Sequence, residues 1–285
     1  MKITFLVVER SFLTSLRQAA AEIRDGQQID LELAVHVLPD LKGDGAWQTI
    51  AADVSSSLAV FAVHVTDEAA AAQVGVALER ALGSRLPLAF VPLNCTASLM
   101  RHVRLGKLDL AGQRGFMSAF GKLIRRPSGR RSAESFAAFA GRVSRWLRFA
   151  PGRGQEFRAY LQLYSYYLNS SPENLRSLLL FVLRRYGDLE VAVDPPREYP
   201  TASLYHPDAP RLFEELDDYL AWFFSRSQAP PPGAARVGIV LFRSFVLNRN
   251  TAHYDAVIRA VEKRGLLPVP ALSFALDNRV VQNRY

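Results

Sequence analysis

The sequence predicts an α/β protein with a Rossmann- or flavodoxin-like parallel sheet at the N-terminus, a helical connector, and the start of a second α/β domain. Three observations lead to this prediction. Short apolar runs alternate with helical segments over residues 1–105. Apolar residues recur at helical spacing between residues 132 and 186, and a strand, a polar loop and an amphipathic helix follow at 236–264. The predicted parts are residues 1–131, 132–228 and 229–285.

Four apolar runs define the predicted N-terminal sheet, at residues 3–8, 31–38, 58–65 and 86–93. Runs without polar alternation are typical of parallel strands that helices cover on both faces. Helices are predicted at 13–23 and 68–82, and Gly43-Asp44-Gly45 marks a turn before Trp47. The turn after the first strand lacks the glycines of a dinucleotide-binding loop, and the chain contains no P-loop sequence.

A basic cluster lies in the connector at residues 106–131. Its members are Lys122, Arg125, Arg126, Arg130 and Arg131. A cluster of this kind can bind an anion, but a solvated connector is the favoured interpretation.

Three helices follow at residues 132–147, 155–168 and 172–186, the last with Ser171 as N-cap and Pro172 at the first helical position. The second helix carries a tyrosine cluster, which consists of Tyr160, Tyr164, Tyr166 and Tyr167. Packing between helices is favoured for these rings over stacking on a ligand.

Prolines organise the stretch that precedes the last part of the chain. The turn Tyr205–Pro210 is predicted to launch a helix at 211–224. His206 and Asp208 could form a metal or acid–base pair there, although hydrogen bonds to the local backbone are the favoured interpretation. The proline-rich residues 229–233 then form a semi-rigid linker.

The best candidate site lies at residues 236–264. A buried strand is predicted at 237–242, and a helix carries Ala256, Val257, Ala260 and Val261 at helical spacing. Ligands of open α/β sheets collect at the carboxyl ends of strands and at the N-termini of the following helices. The polar side chains in that place are Arg243, Ser244, Asn250, His253 and Tyr254. One more strand is predicted at 267–274.

Composition narrows the function classes. A net charge of +8 and a pI of about 9.8 suit an anionic partner, but no nucleic-acid-binding motif accompanies the charge. The single cysteine, Cys95, excludes internal disulfides and has no placed histidine partner, and the five histidines lack metal-ligand spacing. The longest apolar run, at 178–183, is far shorter than the roughly 20 residues that span a bilayer. Peripheral attachment to a membrane stays open.

Five strings then carry a resemblance to a known family. They are Tyr167–Leu175, Tyr205–Pro210, Gly238–Ser244, Asn250–Ile258 and Leu276–Arg279. In order and spacing they resemble the N-terminal region of the large, porphyrin-binding H subunit of magnesium chelatase, whose family includes the large subunit of cobaltochelatase. The opening residues and the sheet after them are more similar to the magnesium enzyme. The resemblance covers nearly all of this chain but only the leading part of such a subunit.

The resemblance implies a role in tetrapyrrole biosynthesis. The H subunit binds protoporphyrin IX while Mg²⁺ is inserted on the way to chlorophyll or bacteriochlorophyll, and separate AAA+ ATPase and adaptor subunits supply ATP hydrolysis. The chain is therefore expected to be a cytoplasmic chelatase subunit that binds no cofactor itself and is inactive alone. Residues that carry metal insertion lie outside the matched part, so no catalytic residue is assigned.

Two other interpretations stay open. The chain could be a non-catalytic tetrapyrrole-binding or regulatory protein of the same family, or a cobaltochelatase relative in cobalamin biosynthesis. If a porphyrin binds, Arg243 is expected to pair with a propionate, and His253 to stand near the ring or to hydrogen bond across the loop. Relatives tend to have a glycine near Arg249, which implies a positive φ that an arginine adopts only at a cost.

Overall fold

The computed structural model describes residues 1–81, 89–106, 108–109, 152–227, 229–231, 233–273 and 279–285. These residues form two compact units, an N-terminal unit that ends at Arg197 and a C-terminal unit that runs from Glu198 to Tyr285. The basic cluster at 122–131 and the helix predicted at 132–147 lie outside the described residues. The three-part division of the chain stays a prediction.

The N-terminal unit contains the predicted parallel sheet. Its strands are β1 (Lys2–Val7), β2 (Glu32–Val37), β3 (Ala59–Val63) and β4 (Ala89–Leu93), which run parallel in the order β2-β1-β3-β4. Two short strands, β5 (Arg104–Leu105) and β6 (Leu108–Asp109), continue the sheet antiparallel beyond β4. In the register of β1 with β3, Phe5 lies opposite Phe61, and their rings stack with centroids 4.7 Å apart. The predicted α/β fold class is confirmed.

Helices cover both faces of this sheet. They are α1 (Leu13–Gln27), α2 (Gly43–Ser56), α3 (Glu68–Ala81), α4 (Ala97–Met100), α5 (Arg153–Leu168) and α6 (Pro172–Tyr186). Alternate residues of β1 point to opposite faces, so Phe5 joins a core with α1, α5 and α6 while Leu6 joins a core with α2 and α3. Within the described residues, no helix has the length and apolar character that crossing a bilayer requires.

Helix α2 corrects the sequence prediction, which assigned only a turn to Gly43-Asp44-Gly45. These residues form the first turn of a 14-residue helix. Ile50 and Val54 are fully buried against the sheet and Trp47 packs beside them, so tertiary burial stabilises a helix despite its two glycines.

The C-terminal unit contains a three-stranded sheet with the order β7-β9-β8. Its elements are β7 (Ala202–Leu204), α7 (Leu216–Phe224), β8 (Arg236–Phe242), α8 (Arg243–Leu247), α9 (Ala252–Glu262), β9 (Leu267–Ser273) and α10 (Arg279–Arg284). Strand β9 lies in the middle, parallel to β8 and antiparallel to β7. Helix α7 begins five residues later than predicted, because Phe213 pairs with Leu204 of β7 instead of entering the helix.

Two details of the predicted strand, loop and helix were wrong. Strand β8 is not buried, since four of its seven residues are exposed. Residues 243–247, predicted as loop, form the short helix α8. The strand β8, the helix α9 and the strand β9 themselves are confirmed.

Candidate functional site

The five predicted site residues surround the carboxyl end of β8, but they do not all face the same way. The side chain of Arg243 is turned inward and Arg243 is only 3% exposed. Its Nη1 donates hydrogen bonds to the carbonyl oxygens of Tyr199 and Pro200, at 2.8 and 2.9 Å. Burial lowers the pKa of the Arg243 guanidinium to about 10, so the group stays charged at neutral pH. In this position Arg243 anchors the backbone at the start of the C-terminal unit.

The other predicted residues lie nearer the surface. Ser244 is half-buried, and its carbonyl oxygen accepts hydrogen bonds from the backbone N–H and the amide Nδ2 of Asn248. Asn250 and His253 are exposed, whereas Tyr254 is half-buried. The Tyr254 hydroxyl accepts a hydrogen bond from the backbone N–H of Phe242 at 3.2 Å.

An aromatic cluster forms beside these residues and consists of Phe245, His253 and Tyr254. The centroids of Phe245 and His253 are 5.2 Å apart, and those of His253 and Tyr254 are 4.0 Å apart. Phe245 was not predicted as a site residue, because an apolar ring in a loop-like stretch gives no signal until the chain folds back. The cluster presents one exposed imidazole next to two larger rings.

The backbone of the loop between α8 and α9 explains why relatives tend to have a glycine near the position of Arg249. Arg249 has a φ of 57°, in the left-handed region. The N–H of Arg249 bonds to the carbonyl of Val246 at 3.1 Å, and that of Asn250 bonds to the carbonyl of Phe245 at 2.9 Å. This pair of bonds is the Schellman motif, whose left-handed position is usually glycine. The predicted positive φ is confirmed, and arginine occupies the glycine position.

The turn Tyr205–Pro210 contributes His206 and Asp208 to an ionic network, of which His206 is the buried member. The His206 side chain is 0% exposed, and its Nδ1 accepts a hydrogen bond from the backbone N–H of Asp208 at 3.2 Å. This is the local bond that was favoured from the sequence. The other ring nitrogen, Nε2, lies 3.2 Å from Glu262 Oε1 and 3.1 Å from Nη1 of Arg226. Burial lowers the pKa of His206 to about 4 and keeps the ring neutral.

Two arginines complete this network. Arg226 bonds to Glu262 at 2.7 Å and to Asp208 at 2.9 Å. Arg259 bonds to Asp208 at 2.7 Å and to Glu262 at 3.0 Å. Burial raises the pKa of Glu262, but the hydrogen bonds from the two arginines outweigh it and leave that pKa below its usual range. The nitrogens and oxygens of this network that could hold a metal already have protein partners.

A second polar cluster lies in the N-terminal unit, and the sequence analysis missed it. Glu9 and Ser11 follow β1, and His64 follows β3, so they meet where the sheet order reverses between these neighbouring strands. His64 Nδ1 lies 2.6 Å from Glu9 Oε2, and the hydroxyls of Ser11 and Tyr167 complete the chain of contacts. The hydrogen bond from His64 lowers the pKa of Glu9. The strand-end rule could have placed Glu9 and His64 together, but nothing local points to Tyr167.

The tyrosine cluster and Cys95 are structural. Tyr160 is fully buried, and its hydroxyl donates to the carbonyl of Pro92 at 2.9 Å. Tyr160, Tyr166 and Tyr167 are buried in the core that their helix shares with α1 and α6, which agrees with the favoured interpretation of helix packing. The Cys95 thiol donates to the carbonyl of Ala62, and burial raises its pKa to about 11. Within the described ranges, no three His, Cys, Asp or Glu side chains converge to hold a metal ion.

Comparison with known proteins covers the chain from end to end. Residues 164–285 match a family described as CobN/Magnesium Chelatase, and residues 2–161 match a domain of unknown function (DUF3479). The chain belongs to the CobN/magnesium chelatase family. It resembles the N-terminal region of the family's large subunit.

Individual members of the CobN/magnesium chelatase family are much longer than this chain. The magnesium-chelatase H subunit of Rhodobacter capsulatus is 31% identical over 198 residues, which are 67% of this chain and 16% of the relative. The chloroplastic magnesium-chelatase ChlH subunit of Oryza sativa subsp. indica is 23% identical over 297 aligned positions, which cover 100% of this chain and 21% of the relative. The catalytic subunit of cobaltochelatase from Mycobacterium tuberculosis aligns with 99% of this chain and 17% of its own, at a TM-score of 0.44 and 14% identity.

The family string Tyr167–Leu175 has a structural role. The Ser171 hydroxyl accepts a hydrogen bond from the backbone N–H of Asn174 and caps α6. The Asn174 amide then donates to the carbonyls of Asn169 and Arg197, at 2.6 and 2.8 Å, and accepts from the N–H of Arg197 at 2.9 Å. Ser171 and Asn174 of this string thus hold backbone segments in place.

Proposed function

We propose that the chain is the N-terminal part of the porphyrin-binding H subunit of a magnesium chelatase. Its role is to support the ATP-dependent insertion of Mg²⁺ into protoporphyrin IX. The observation that carries the proposal is the similarity to H subunits, which extends over 67% to 100% of this chain. Mg²⁺ and the porphyrin are substrates of the full complex, a ligase that forms a nitrogen–metal bond. AAA+ ATPase and adaptor subunits supply ATP hydrolysis in the cytoplasm, and this chain is inactive alone and binds no cofactor.

The aromatic cluster at the end of β8 is the porphyrin-contact surface in this proposal. Phe245, Tyr254 and the exposed His253 offer flat rings to a planar macrocycle. The neighbouring Ser244 and Asn250 offer a hydroxyl and an exposed amide to a propionate. The net charge of +8 favours association with a substrate that carries two carboxylates.

Titration of the intact chain with protoporphyrin IX tests the proposal. We expect a shift of the Soret band and quenching of tryptophan fluorescence, with half-saturation at tens of micromolar or below. His253→Ala should weaken binding by about threefold or more, since one aromatic contact contributes about 0.5–1.5 kcal/mol. Phe224→Ala is the matched control, because Phe224 is an exposed ring of the same unit outside the cluster. Absence of saturable binding by the wild-type chain would reject porphyrin handling by this part.

Arg243 has two assignments that one variant separates. A propionate partner predicts that Arg243→Ala weakens porphyrin binding more than about threefold while the fold stays intact. A backbone anchor predicts the reverse: unfolding of the C-terminal unit becomes about 2–3 kcal/mol easier, because two carbonyls lose a charged donor, and the porphyrin affinity of the folded fraction is unchanged. Denaturant melts and porphyrin titrations of the same preparation distinguish the two.

A chelatase assay separates the proposed function from a regulatory role. Complementation of an H subunit that lacks its N-terminal region would support the proposal. Inhibition or sequestration of porphyrin in a complete chelatase mixture would instead identify the chain as a tetrapyrrole carrier or regulator of the same family.

A further inference from the structure

The two arginines near the carboxyl end of β8 differ in their access to solvent. Arg243, which the sequence analysis favoured as the partner of a propionate, is 3% exposed and bound to two backbone carbonyls. Arg249, in the loop between α8 and α9, is exposed. A ligand that reaches the aromatic cluster from solvent therefore finds Arg249 accessible and Arg243 already in use.

The other basic side chains that the structure describes in the C-terminal unit lie elsewhere. Arg236 begins β8 at the opposite end of the strand, and Lys263 and Arg264 follow the far end of α9. The remaining basic side chains form ion pairs with carboxylates, and they are Arg211, Arg226, Arg259 and Arg284. Among these described side chains, Arg249 is thus the exposed cation at the carboxyl end of β8.

Backbone hydrogen bonds hold Arg249 beside the aromatic cluster. The N–H of Asn250, the next residue, bonds to the carbonyl of Phe245 at 2.9 Å, and Phe245 is a member of the cluster. His253, a second member, follows Arg249 by four residues and lies in the first turn of α9. The guanidinium is therefore attached to the turn that joins the two helices from which the rings of the cluster extend.

The backbone of Arg249 has a conformation that glycine would adopt at a lower cost. Its φ of 57° lies in the left-handed region, and this position of a Schellman motif is usually glycine. Strained residues of this kind are found at ligand-binding sites. Gln28, which ends α1, has a similar φ of 53°, so the conformation alone does not decide the role of a residue. The charge of Arg249 and its place beside the aromatic cluster distinguish it from Gln28.

A carboxylate is the ligand group that this arrangement recognises. A guanidinium donates two parallel N–H bonds to a carboxylate, and the exposed amide of Asn250 is a further donor next to it. Asp255, the nearest acidic residue along the chain, already accepts hydrogen bonds from Tyr205 and Thr251. We propose that Arg249 pairs with a propionate carboxylate of the tetrapyrrole whose ring lies on the aromatic cluster. The inference rests on the proposed porphyrin contact and assigns its charged partner.

Titrations of the intact 285-residue chain with protoporphyrin IX and with its dimethyl ester test the pairing. The ester keeps the macrocycle but lacks both carboxylates. Arg249→Gln should weaken binding of the acid about threefold or more and leave binding of the ester unchanged, because only the acid offers a partner to the guanidinium. Glutamine is the chosen replacement because Gln28 already adopts the same backbone conformation in this protein. Added salt should weaken binding of the acid to the wild-type chain more than to the variant.

Three further variants separate the side chain from net charge and from the backbone. Lys263→Gln is the matched control, because it removes one positive charge from an exposed residue at the other end of α9, and it should leave both affinities unchanged. Arg249→Lys keeps the charge without the two parallel donors and should bind the acid with intermediate affinity. Arg249→Gly relaxes the backbone and should bind the acid as weakly as Arg249→Gln. Circular dichroism confirms that each variant is folded.

The possible outcomes distinguish this inference from the proposed function. Unchanged affinity of Arg249→Gln for the acid would overturn the inference and leave the proposed porphyrin contact standing. Equal weakening of acid and ester would also overturn it, since Arg249 would then contact the ring and not a carboxylate. An equal loss in Lys263→Gln would assign the effect to net charge. Absence of saturable porphyrin binding by the wild-type chain would reject the porphyrin contact itself, and this assignment with it.

Discussion

The two sheets of this protein bury their parallel strands to different extents. In the N-terminal unit, β1 and β3 contribute residues to a core on each face, and Phe61, Ala62 and Val63 are all 0% exposed. In the C-terminal unit, β9 is buried throughout, while four residues of its partner β8 are exposed. Parallel strands are thus buried on both faces of the sheet in the N-terminal unit, whereas β8 of the C-terminal unit is buried on one face only.

The largest expected effect on the free energy of unfolding comes from the core of the N-terminal sheet. Phe61→Ala removes a ring that is stacked on Phe5 and fully buried, so the free energy of unfolding of the N-terminal unit should fall by about 3–5 kcal/mol. Val240→Ala, on the exposed face of β8, should change the free energy of unfolding of the C-terminal unit by less than about 0.5 kcal/mol. Denaturant melts combined with hydrogen exchange assign each loss to its unit. Equal losses at the two positions would remove the distinction between the strands.

The second prediction concerns pH and the ionic network of the C-terminal unit. The pKa of His206 is about 4 in the folded protein and about 6.5 in the unfolded chain, so the unfolded chain binds more protons between these values. The contribution of neutral His206 to the free energy of unfolding is present in full above pH 6.5. It is lost as the pH falls toward 4, by up to about 3 kcal/mol. Denaturant midpoints of the C-terminal unit measured from pH 7 to pH 4 should follow this curve.

His206→Gln is the control for that titration. It removes the ionisable ring while keeping a hydrogen-bond donor near Glu262, so the slope between pH 6.5 and 4 should flatten. Asp208 and Glu262 have lowered pKa values, and their contributions are lost at lower pH. An unchanged slope in the variant would assign the pH dependence to another group.

Asn174 should give a smaller effect, in the N-terminal unit. It is 1% exposed and its amide satisfies both backbone groups of Arg197. Asn174→Ala removes these two hydrogen bonds and should lower the free energy of unfolding by about 2 kcal/mol. Asn250→Ala, at an exposed asparagine, should cost less than about 0.5 kcal/mol. Comparable losses would mean that the contact with Arg197 contributes nothing.

The smallest effect is a gain at the left-handed position of the C-terminal unit. Arg249→Gly relieves the cost of a φ of 57° but adds freedom to the unfolded chain, for a net gain of about 0.5 kcal/mol. Arg249→Ala keeps the strained backbone and should give no gain, which separates the backbone effect from loss of the side chain. Thermal midpoints of the three proteins decide, and a gain in the alanine variant would contradict the explanation.

Strands β1 to β4 of the N-terminal sheet could be predicted from the sequence because each lies in a largely apolar run, whereas the two-residue strands β5 and β6 were not predicted. Helix α2 could not, because two glycines look like a turn until Ile50 and Val54 have a sheet to pack against. The start of α7 was misplaced for a similar reason. Phe213 joins a bridge to Leu204, and nothing in residues 211–215 announces that partner.

The position of the candidate site could be predicted from the sequence, whereas the directions in which its side chains point could be predicted less well. The strand-end rule placed Arg243 at the carboxyl end of β8, which is correct. Its inward orientation depends on the carbonyls of Tyr199 and Pro200, more than forty residues away in the chain. The contact between His64 and Tyr167 spans 103 residues and left no local trace either. Residue type indicates which chemistry a side chain can perform, whereas remote backbone decides whether the side chain is available for it.

The two backbone anchors impose different rules on the segment that they hold. Arg243 donates hydrogen bonds to the carbonyl oxygens of Tyr199 and Pro200, and a proline retains its carbonyl oxygen. The Asn174 amide donates a hydrogen bond to the carbonyl oxygen of Arg197 and accepts one from the N–H of the same residue. Neither anchor uses a side chain of the segment in these bonds, so the bonds themselves restrict the residue type at one position only. Proline, already present at positions 195, 196 and 200, is incompatible with position 197, where the missing N–H would break the grip.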